Sequence, residues 1–178
     1  MAETSAKRAP ARSTATKAGD ARRIVVKRSK IHGRGVYAAR KLKAGERLVE
    51  YKGERIKWKE ADRRPPSDPK DPNHTFFFSL SDGKHVIDAS VGGNSARWIN
   101  HSCDPNCETE ETEDGRVFID ALRDIRRGEE LHYDYLLVLD GKITKKDRKL
   151  HACHCGAENC RGTMLAEKRK KKKKSGKK

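Results

Sequence analysis

The chain of 178 residues has room for one ordinary domain with tails and not for two independent cores. At 34% hydrophobic and 38% charged, with a net charge of +16, it is polar for a globular protein, and no apolar stretch is long enough to span a bilayer. The first residues also lack an apolar h-region, so the sequence predicts a protein made without a conventional secretion signal and without membrane association.

The charge sits mostly at the ends. Residues 1–23 carry six Lys/Arg against Glu3 and Asp20, a net of +4, with almost no large apolar side chain. Such a segment cannot bury enough surface to offset its ordering entropy and is read as a disordered tail. Residues 167–178 carry nine Lys/Arg against Glu167, a net of +8, which leaves +4 for residues 24–166. The Lys168–Lys174 run is read as a second disordered tail, suited to non-specific, salt-sensitive contact with nucleic acid, or to solubility or localisation.

Between the tails the pattern is one of short strands and tight turns. Ile24-Val25-Val26 is a β-type run, and His32-Gly33-Arg34-Gly35 is a turn leading into Val36-Tyr37-Ala38. Gly33-x-Gly35 lacks the third glycine and following helix of a dinucleotide site, although glycine still permits close backbone approach to a ligand. After a turn at Lys43–Glu46, Leu48–Tyr51 alternates as a strand does. Trp58 to Asn73 contains four prolines and reads as a loop, with room for a short helix at its start.

Thr75–Leu80 and Val86–Asp88 flank the hairpin turn Asp82-Gly83, and Ala96–Ile99 suits a single helical turn. Asn100-His101-Ser102-Cys103-Asp104-Pro105-Asn106 concentrates polar groups in a tight turn, for which an Asx-capped loop is the plain reading. Val117–Ile119 and Leu131–Val138 are further β-type runs, separated by the turn at Arg127-Gly128. Within the second, Leu131-His132-Tyr133-Asp134-Tyr135 places both tyrosines on one strand face. Many short strands with no room for long helices indicate a mostly β fold of several small sheets.

The five cysteines, Cys103, Cys107, Cys153, Cys155 and Cys160, are odd in number and cluster late, which argues for a reducing intracellular compartment and metal ligation over a disulfide framework. Cys153-x-Cys155-x4-Cys160 forms a compact knuckle able to share one Zn²⁺, which takes four ligands. On spacing alone the fourth ligand is open among Cys103, Cys107, His151 and His154.

Taken together and in order, these segments resemble the SET-domain protein-lysine methyltransferases with their post-SET motif. The resemblance runs from about Ile24 to Leu165. It rests on Gly33-Arg34-Gly35-Val36-Tyr37-Ala38, Glu50-Tyr51-Lys52-Gly53-Glu54 and Val86-Ile87-Asp88-Ala89. It continues through Gly93-Asn94-x-Ala96-Arg97-Trp98-Ile99-Asn100-His101-Ser102-Cys103-x-Pro105-Asn106. Gly128-Glu129-Glu130-Leu131-x-Tyr133-Asp134-Tyr135 and Cys153-x-Cys155-x4-Cys160-Arg161-Gly162 complete it.

The resemblance implies several small β-sheets around a pseudoknot, in which Leu131–Tyr135 passes by the loop carrying Asn100–Asn106, followed by a post-SET zinc knuckle. The implied domains are a SET domain over 24–140 and a zinc-binding post-SET segment over 141–166. It further implies an enzyme that uses S-adenosylmethionine to methylate lysine, with Tyr135 as the catalytic tyrosine and Tyr51 and Tyr133 beside it in an aromatic channel with Phe78. Arg34, Gly35, Arg97, Asn100 and His101 would hold the methyl donor, with Leu165 against its adenine. Phe76 falls where many relatives carry a Tyr that touches the donor, so one hydroxyl is missing here.

Tyr133 stands where the family varies between Phe and Tyr, and a Tyr there implies mono- or dimethylation over trimethylation. The family's fourth zinc ligand corresponds to Cys103, giving one structural zinc on Cys103, Cys153, Cys155 and Cys160.

Residues before Ile24 hold no cysteine-rich pre-SET region and the insert between Ile56 and Thr75 is short, so the flanks that select substrates in many relatives are absent. The expected substrate is a basic, lysine-bearing tail of a histone or of a bacterial histone-like protein. The expected location follows from it: chromatin or nucleus in a eukaryote or an invaded host, cytoplasm or nucleoid in a bacterium. Two other classes compete. A non-catalytic, zinc-stabilised module reading chromatin peptides would need a broken donor site, yet Asn100, His101 and Tyr135 are all present. A nucleic-acid-binding protein acting through its tails explains none of the motifs.

Overall fold

The computed structural model describes residues 22–67, 74–139 and 141–166. In chain order the strands are β1 (Ile24–Arg28), β2 (Arg34–Ala38), β3 (Arg47–Glu50), β4 (Glu54–Lys57), β5 (Phe77–Ser79), β6 (His85–Asp88), β7 (Asn100–His101), β8 (Cys107–Glu111), β9 (Val117–Ala121) and β10 (His132–Tyr133). Helix α1 (Trp58–Ala61) follows β4, a 3₁₀ turn (Ser95–Trp98) precedes β7, and α2 (Lys145–Leu150) follows β10. β1 and β2 form a hairpin, and two three-stranded antiparallel sheets have the orders β3-β9-β8 and β4-β6-β5. This is the mostly β architecture of small sheets that the sequence predicts.

β9 shows why these segments are strands. Val117, Ile119 and Ala121 turn into the core while Phe118 and Asp120 turn out, the period of two that a half-buried strand requires. The outward face is covered: Arg47 and Arg116 lie over the Phe118 ring, 4.2 and 4.8 Å from its centroid, and Arg47 pairs with Asp120. Ile119 and Val117 then meet Val36, Leu42, Ile125 and Leu131, all buried. Filling this contiguous core supplies most of the drive to fold, at about 25 cal/mol per Å² of apolar surface removed from water.

β7 and β10 pair in parallel, Asn100 with His132 and Tyr133 with His101. Parallel neighbours need a long crossover, and here the β8–β9 hairpin occupies it. The loop after β7 then laces onto the strand. The Asn106 amide donates to Glu130 O at 2.8 Å and its Oδ1 accepts from the His132 amide at 2.9 Å. The Ser102 amide donates to Tyr133 O at 3.2 Å. Asn100, His101, Ser102 and Asn106 are all buried, so these polar groups are satisfied at the crossing expected as a pseudoknot.

Three local differences from the sequence reading have simple causes. Leu131–Val138 does not continue as one strand: the Tyr135 amide donates to a side chain, His101 Nδ1, and Leu136 adopts φ 46°, which ends the ladder. β8 escaped because Cys-Glu-Thr-Glu-Glu has almost no apolar residue. It is an edge strand whose side chains after Cys107 face largely to solvent, held to β9 by its backbone. α2 is short but carries a capping box between Thr144 and Asp147, a signal present in Thr144-x-x-Asp147.

Arg23, the last residue of the N-terminal tail as read from sequence, already accepts a backbone hydrogen bond from Ala39 and pairs with Glu46. Residues 1–21 of that tail and the Lys-rich tail beyond Ala166 lie outside the described residues.

Candidate active site and zinc knuckle

The crossing opens onto a cavity of about 950 Å³, bounded by the β1–β2 turn, the 3₁₀ turn, β5, the end of β10 and the segment around α2. Tyr51, Phe78, Tyr133 and Tyr135 form a chain of rings within it. Ring centroids are 5.3 Å apart for Tyr51–Phe78, 6.3 Å for Phe78–Tyr133 and 4.8 Å for Tyr133–Tyr135, the tilted arrangement aromatic quadrupoles favour. Two hydroxyls are anchored on backbone: Tyr135 donates to Ile99 O at 2.7 Å and Tyr51 to Phe76 O at 3.0 Å. Burial pushes all three tyrosine hydroxyls well above the usual phenol range, so they stay neutral hydrogen-bonding groups.

A second group of residues is cationic and aromatic. The Arg34 and Arg97 guanidiniums lie 5.2 and 4.8 Å from the Trp98 ring centroid, and Trp98 meets the Phe76 ring edge-on at 4.9 Å. Phe76 packs against Trp98 and the Arg97 guanidinium through its ring, while its carbonyl holds Tyr51. The Arg97 guanidinium donates to Ala89 O at 2.9 Å.

Asn100 is committed to the scaffold. Its side-chain amide donates to Arg34 O and to Glu130 Oε1, both at 2.9 Å, which fixes the start of β2 beside the cavity. Gly35 is required by the same carboxylate, because a Cβ there would run into Glu130.

His101 links this region to the cysteines. Its Nδ1 accepts from the Tyr135 amide at 3.1 Å, so the proton of the neutral ring is assigned to Nε2, which lies 3.4 Å from Cys103 Sγ. Burial pushes the imidazole down to about 4 despite the nearby Asp134 carboxylate, which keeps the ring neutral at physiological pH.

The sulfurs of Cys103, Cys153, Cys155 and Cys160 lie within 4.8 Å of one another, and all are free thiols. Cys103 Sγ is 3.7 Å from Cys153 Sγ and 4.0 Å from Cys160 Sγ. Four Zn–S bonds of about 2.3 Å in a tetrahedron separate sulfurs by about 3.8 Å, whereas a disulfide needs about 2.05 Å, so the cluster fits one zinc ion. Cys107 is buried beside Asn106 and outside the cluster, its thiol pushed up to about 12 by burial. The Arg161 amide also points at Cys103 Sγ, at 3.4 Å, and its guanidinium grips Asp134 through two hydrogen bonds of 2.7 and 2.8 Å. The knuckle is thus tied to the residue preceding Tyr135.

The family profile described as "SET domain" matches residues 33–136. The chain belongs to the SET domain family. Over 144 residues it is 40% identical to "Histone-lysine N-methyltransferase trr" of Drosophila melanogaster, which covers 79% of this chain and 6% of that protein. It is also 40% identical over 144 residues to "Histone-lysine N-methyltransferase, H3 lysine-4 specific" of Saccharomyces cerevisiae, covering 79% of this chain and 13% of that one. Among solved structures it is similar to "ctPRC2 in an autoinhibited conformation bound to S-adenosylmethionine", with TM-score 0.58, 32% identity, and coverage of 65% of this chain and 15% of that chain. The chain therefore spans only a small part of the proteins it matches.

Within this SET domain the cavity gathers Arg34, Tyr51, Phe76, Arg97, Asn100, His101, Tyr133 and Tyr135 from distant parts of the sequence. Gly35 and Leu165 do not line it: Gly35 sits against Glu130, and Leu165 is buried where it bridges Leu137. Two residues that organise the site escaped the sequence reading, Glu130 and Trp98. Both lie inside the matching segments, but nothing in their spacing distinguishes a carboxylate that receives Asn100 and Tyr37 from one on the surface.

Proposed function

We propose that this chain transfers the methyl group of S-adenosylmethionine to a lysine of a basic, tail-bearing chromatin protein, a histone or a bacterial histone-like protein. The observation that carries the reading is the row of aromatic side chains ending at Tyr135, in which Tyr51 and Tyr133 are buried and Phe78 and Tyr135 half-buried, beside residues suited to a sulfonium nucleoside. Relatives named histone-lysine N-methyltransferases support the substrate class. A chromatin or nucleoid location follows from that substrate. No helix among the described residues is long and apolar enough to cross a membrane.

In this reading S-adenosylmethionine supplies an electrophilic methyl group when bound. Arg34, Phe76, Arg97, Asn100 and His101 line the cavity and would hold it, the side chains of Asn100 and His101 being themselves fixed by the scaffold; Gly35 would act indirectly by admitting Glu130, and Leu165 would back the wall behind Leu137. Tyr51, Phe78, Tyr133 and Tyr135 desolvate the incoming lysine, whose free pKa of about 10.4 makes the ammonium dominant in water. They also fix the amine in line for attack, and Tyr135 is the catalytic tyrosine. The Tyr133 hydroxyl takes up space beside the amine and limits the product to mono- or dimethyl-lysine. Residues 24–140 form the catalytic unit. Residues 141–166 form the zinc segment, in which Cys103, Cys153, Cys155 and Cys160 bind one structural zinc.

The test is transfer of radiolabelled methyl groups to purified histones and, separately, to a bacterial nucleoid protein. The reading expects label on lysine of at least one. No label on either, with folded and zinc-replete protein, contradicts it.

A further inference from the structure

The chain leaves the described structure at the wall of this same cavity. Leu137 lines the cavity, and its amide and carbonyl bond Met164 O at 3.0 Å and the Ala166 amide at 2.8 Å. Leu137 is two residues from Tyr135, so at 3.8 Å per residue the Ala166 backbone lies within about 14 Å of that of Tyr135. The next residues are Glu167 and then Lys168 through Lys174, all Lys or Arg. At no more than about 3.4 Å per residue, the four to eight residues from Ala166 to Lys170–Lys174 allow a reach of about 14 to 27 Å, against the separation of about 14 Å between Ala166 and Tyr135.

The rim is suited to lysine stems. Leu136, Val138 and Leu150 line the cavity and are 53%, 83% and 48% exposed. Such a ledge receives the methylene chain of a lysine while its amine reaches further in.

We propose that the chain methylates its own C-terminal lysine run, Lys170 to Lys174, within one molecule. The inference rests on the methyltransferase reading above. The tail's tether sets its effective concentration on the order of millimolar, far above typical concentrations of a free protein substrate. Adjacent positive charges in the run also disfavour each ammonium, which raises the share of neutral amine. In the step, the neutral Nζ lone pair forms an N–C bond to the methyl carbon as the S–C bond breaks. That bond's electron pair stays on sulfur, so the donor becomes a neutral thioether and the lysine a methylammonium. The proton lost beforehand, in forming the neutral amine, goes to solvent.

The N-terminal tail is worse placed. It joins the domain at Arg23, held by Ala39, and the five residues of β1, about 16 Å, separate that point from the turn at the cavity.

The experiment incubates the full chain with S-adenosylmethionine alone and maps methyl groups by mass spectrometry over a range of protein concentrations. A second arm needs no donor. A fluorescent peptide of residues 166–178 is titrated into the wild-type chain and into a variant with Lys170 to Lys174 changed to Gln. Methylation within the C-terminal run at a rate per molecule independent of concentration is expected, with the peptide binding the variant at least tenfold more tightly than the wild type. Methylation confined to Lys7 or Lys17, a rate proportional to protein concentration, or equal peptide affinities would overturn the proposal. A chain that methylates histones but not its own tail would overturn it and leave the methyltransferase reading intact. Failure on both substrates would overturn that reading first.

Discussion

Replacing Arg161 with Met should loosen the link between the zinc knuckle and the strand that carries Tyr135. Arg161 makes two charge-assisted hydrogen bonds to Asp134, and the two side chains are 22% and 20% exposed. Exposed pairs contribute about 0–1 kcal/mol, and removing one partner of a fully buried pair costs about 3–5 kcal/mol. With about a fifth of each side chain in water, the loss should fall between, on the order of 2 kcal/mol. In a domain of this size that lowers the melting temperature by about 4–8 °C. Asp134 then keeps the Leu136 amide, at 3.2 Å, as its remaining close donor.

The assay is thermal unfolding of zinc-saturated wild type, Arg161→Met, Asp134→Leu and the double variant. The double variant removes both charges, so it should be more stable than the sum of the single losses predicts, with a coupling of about 1–2 kcal/mol. A coupling below about 0.5 kcal/mol would show an ordinary surface pair, and the clamp reasoning would be refuted.

Other outcomes follow from the same geometry. Gly35→Ala forces a methyl group against Glu130 and so displaces the carboxylate that Asn100 and Tyr37 bond; a loss of about 1–3 kcal/mol is expected, read by denaturant unfolding, together with weaker binding of S-adenosylmethionine by calorimetry. Metal analysis should find one zinc per chain, falling in Cys103→Ser and unchanged in Cys107→Ser, because only the first thiol belongs to the cluster. Burial holds the Tyr51, Tyr133 and Tyr135 hydroxyls protonated, so none of them should titrate between pH 6 and pH 9. Methyl transfer measured at lysine substrate far below saturation, where the free amine governs the rate, should therefore rise about tenfold per pH unit across that range. An inflection near pH 8 would mean that a group on the enzyme controls the rate.

Much of this site was legible because its chemistry is carried by residues rare in plain loops. Asn100, His101 and Cys103 within four positions, and Tyr133 and Tyr135 on one short run, are each weak signals alone, and it is their ordered resemblance to the SET-domain family that marks the crossing. The β-type run Val117–Ile119 marks most of β9. What stayed hidden depends on contacts between distant segments. Glu130 looks like any turn glutamate until Gly35 removes the Cβ that would block it. β8 depends on a neighbour's backbone, so its side chains announce nothing. The end of β10 depends on His101, 34 positions away, taking the Tyr135 amide.

The most direct test of the account is the single-turnover rate of methyl transfer by Tyr135→Phe. Its hydroxyl donates to Ile99 O at 2.7 Å, deep in the aromatic row. Loss of a preorganised polar group beside the reacting atoms should slow the chemical step by about 10²–10³-fold. Affinity for S-adenosylmethionine should stay within a few-fold of wild type, since the donor is held by other residues. A variant that folds, binds the donor and transfers methyl groups at the wild-type rate would contradict the account.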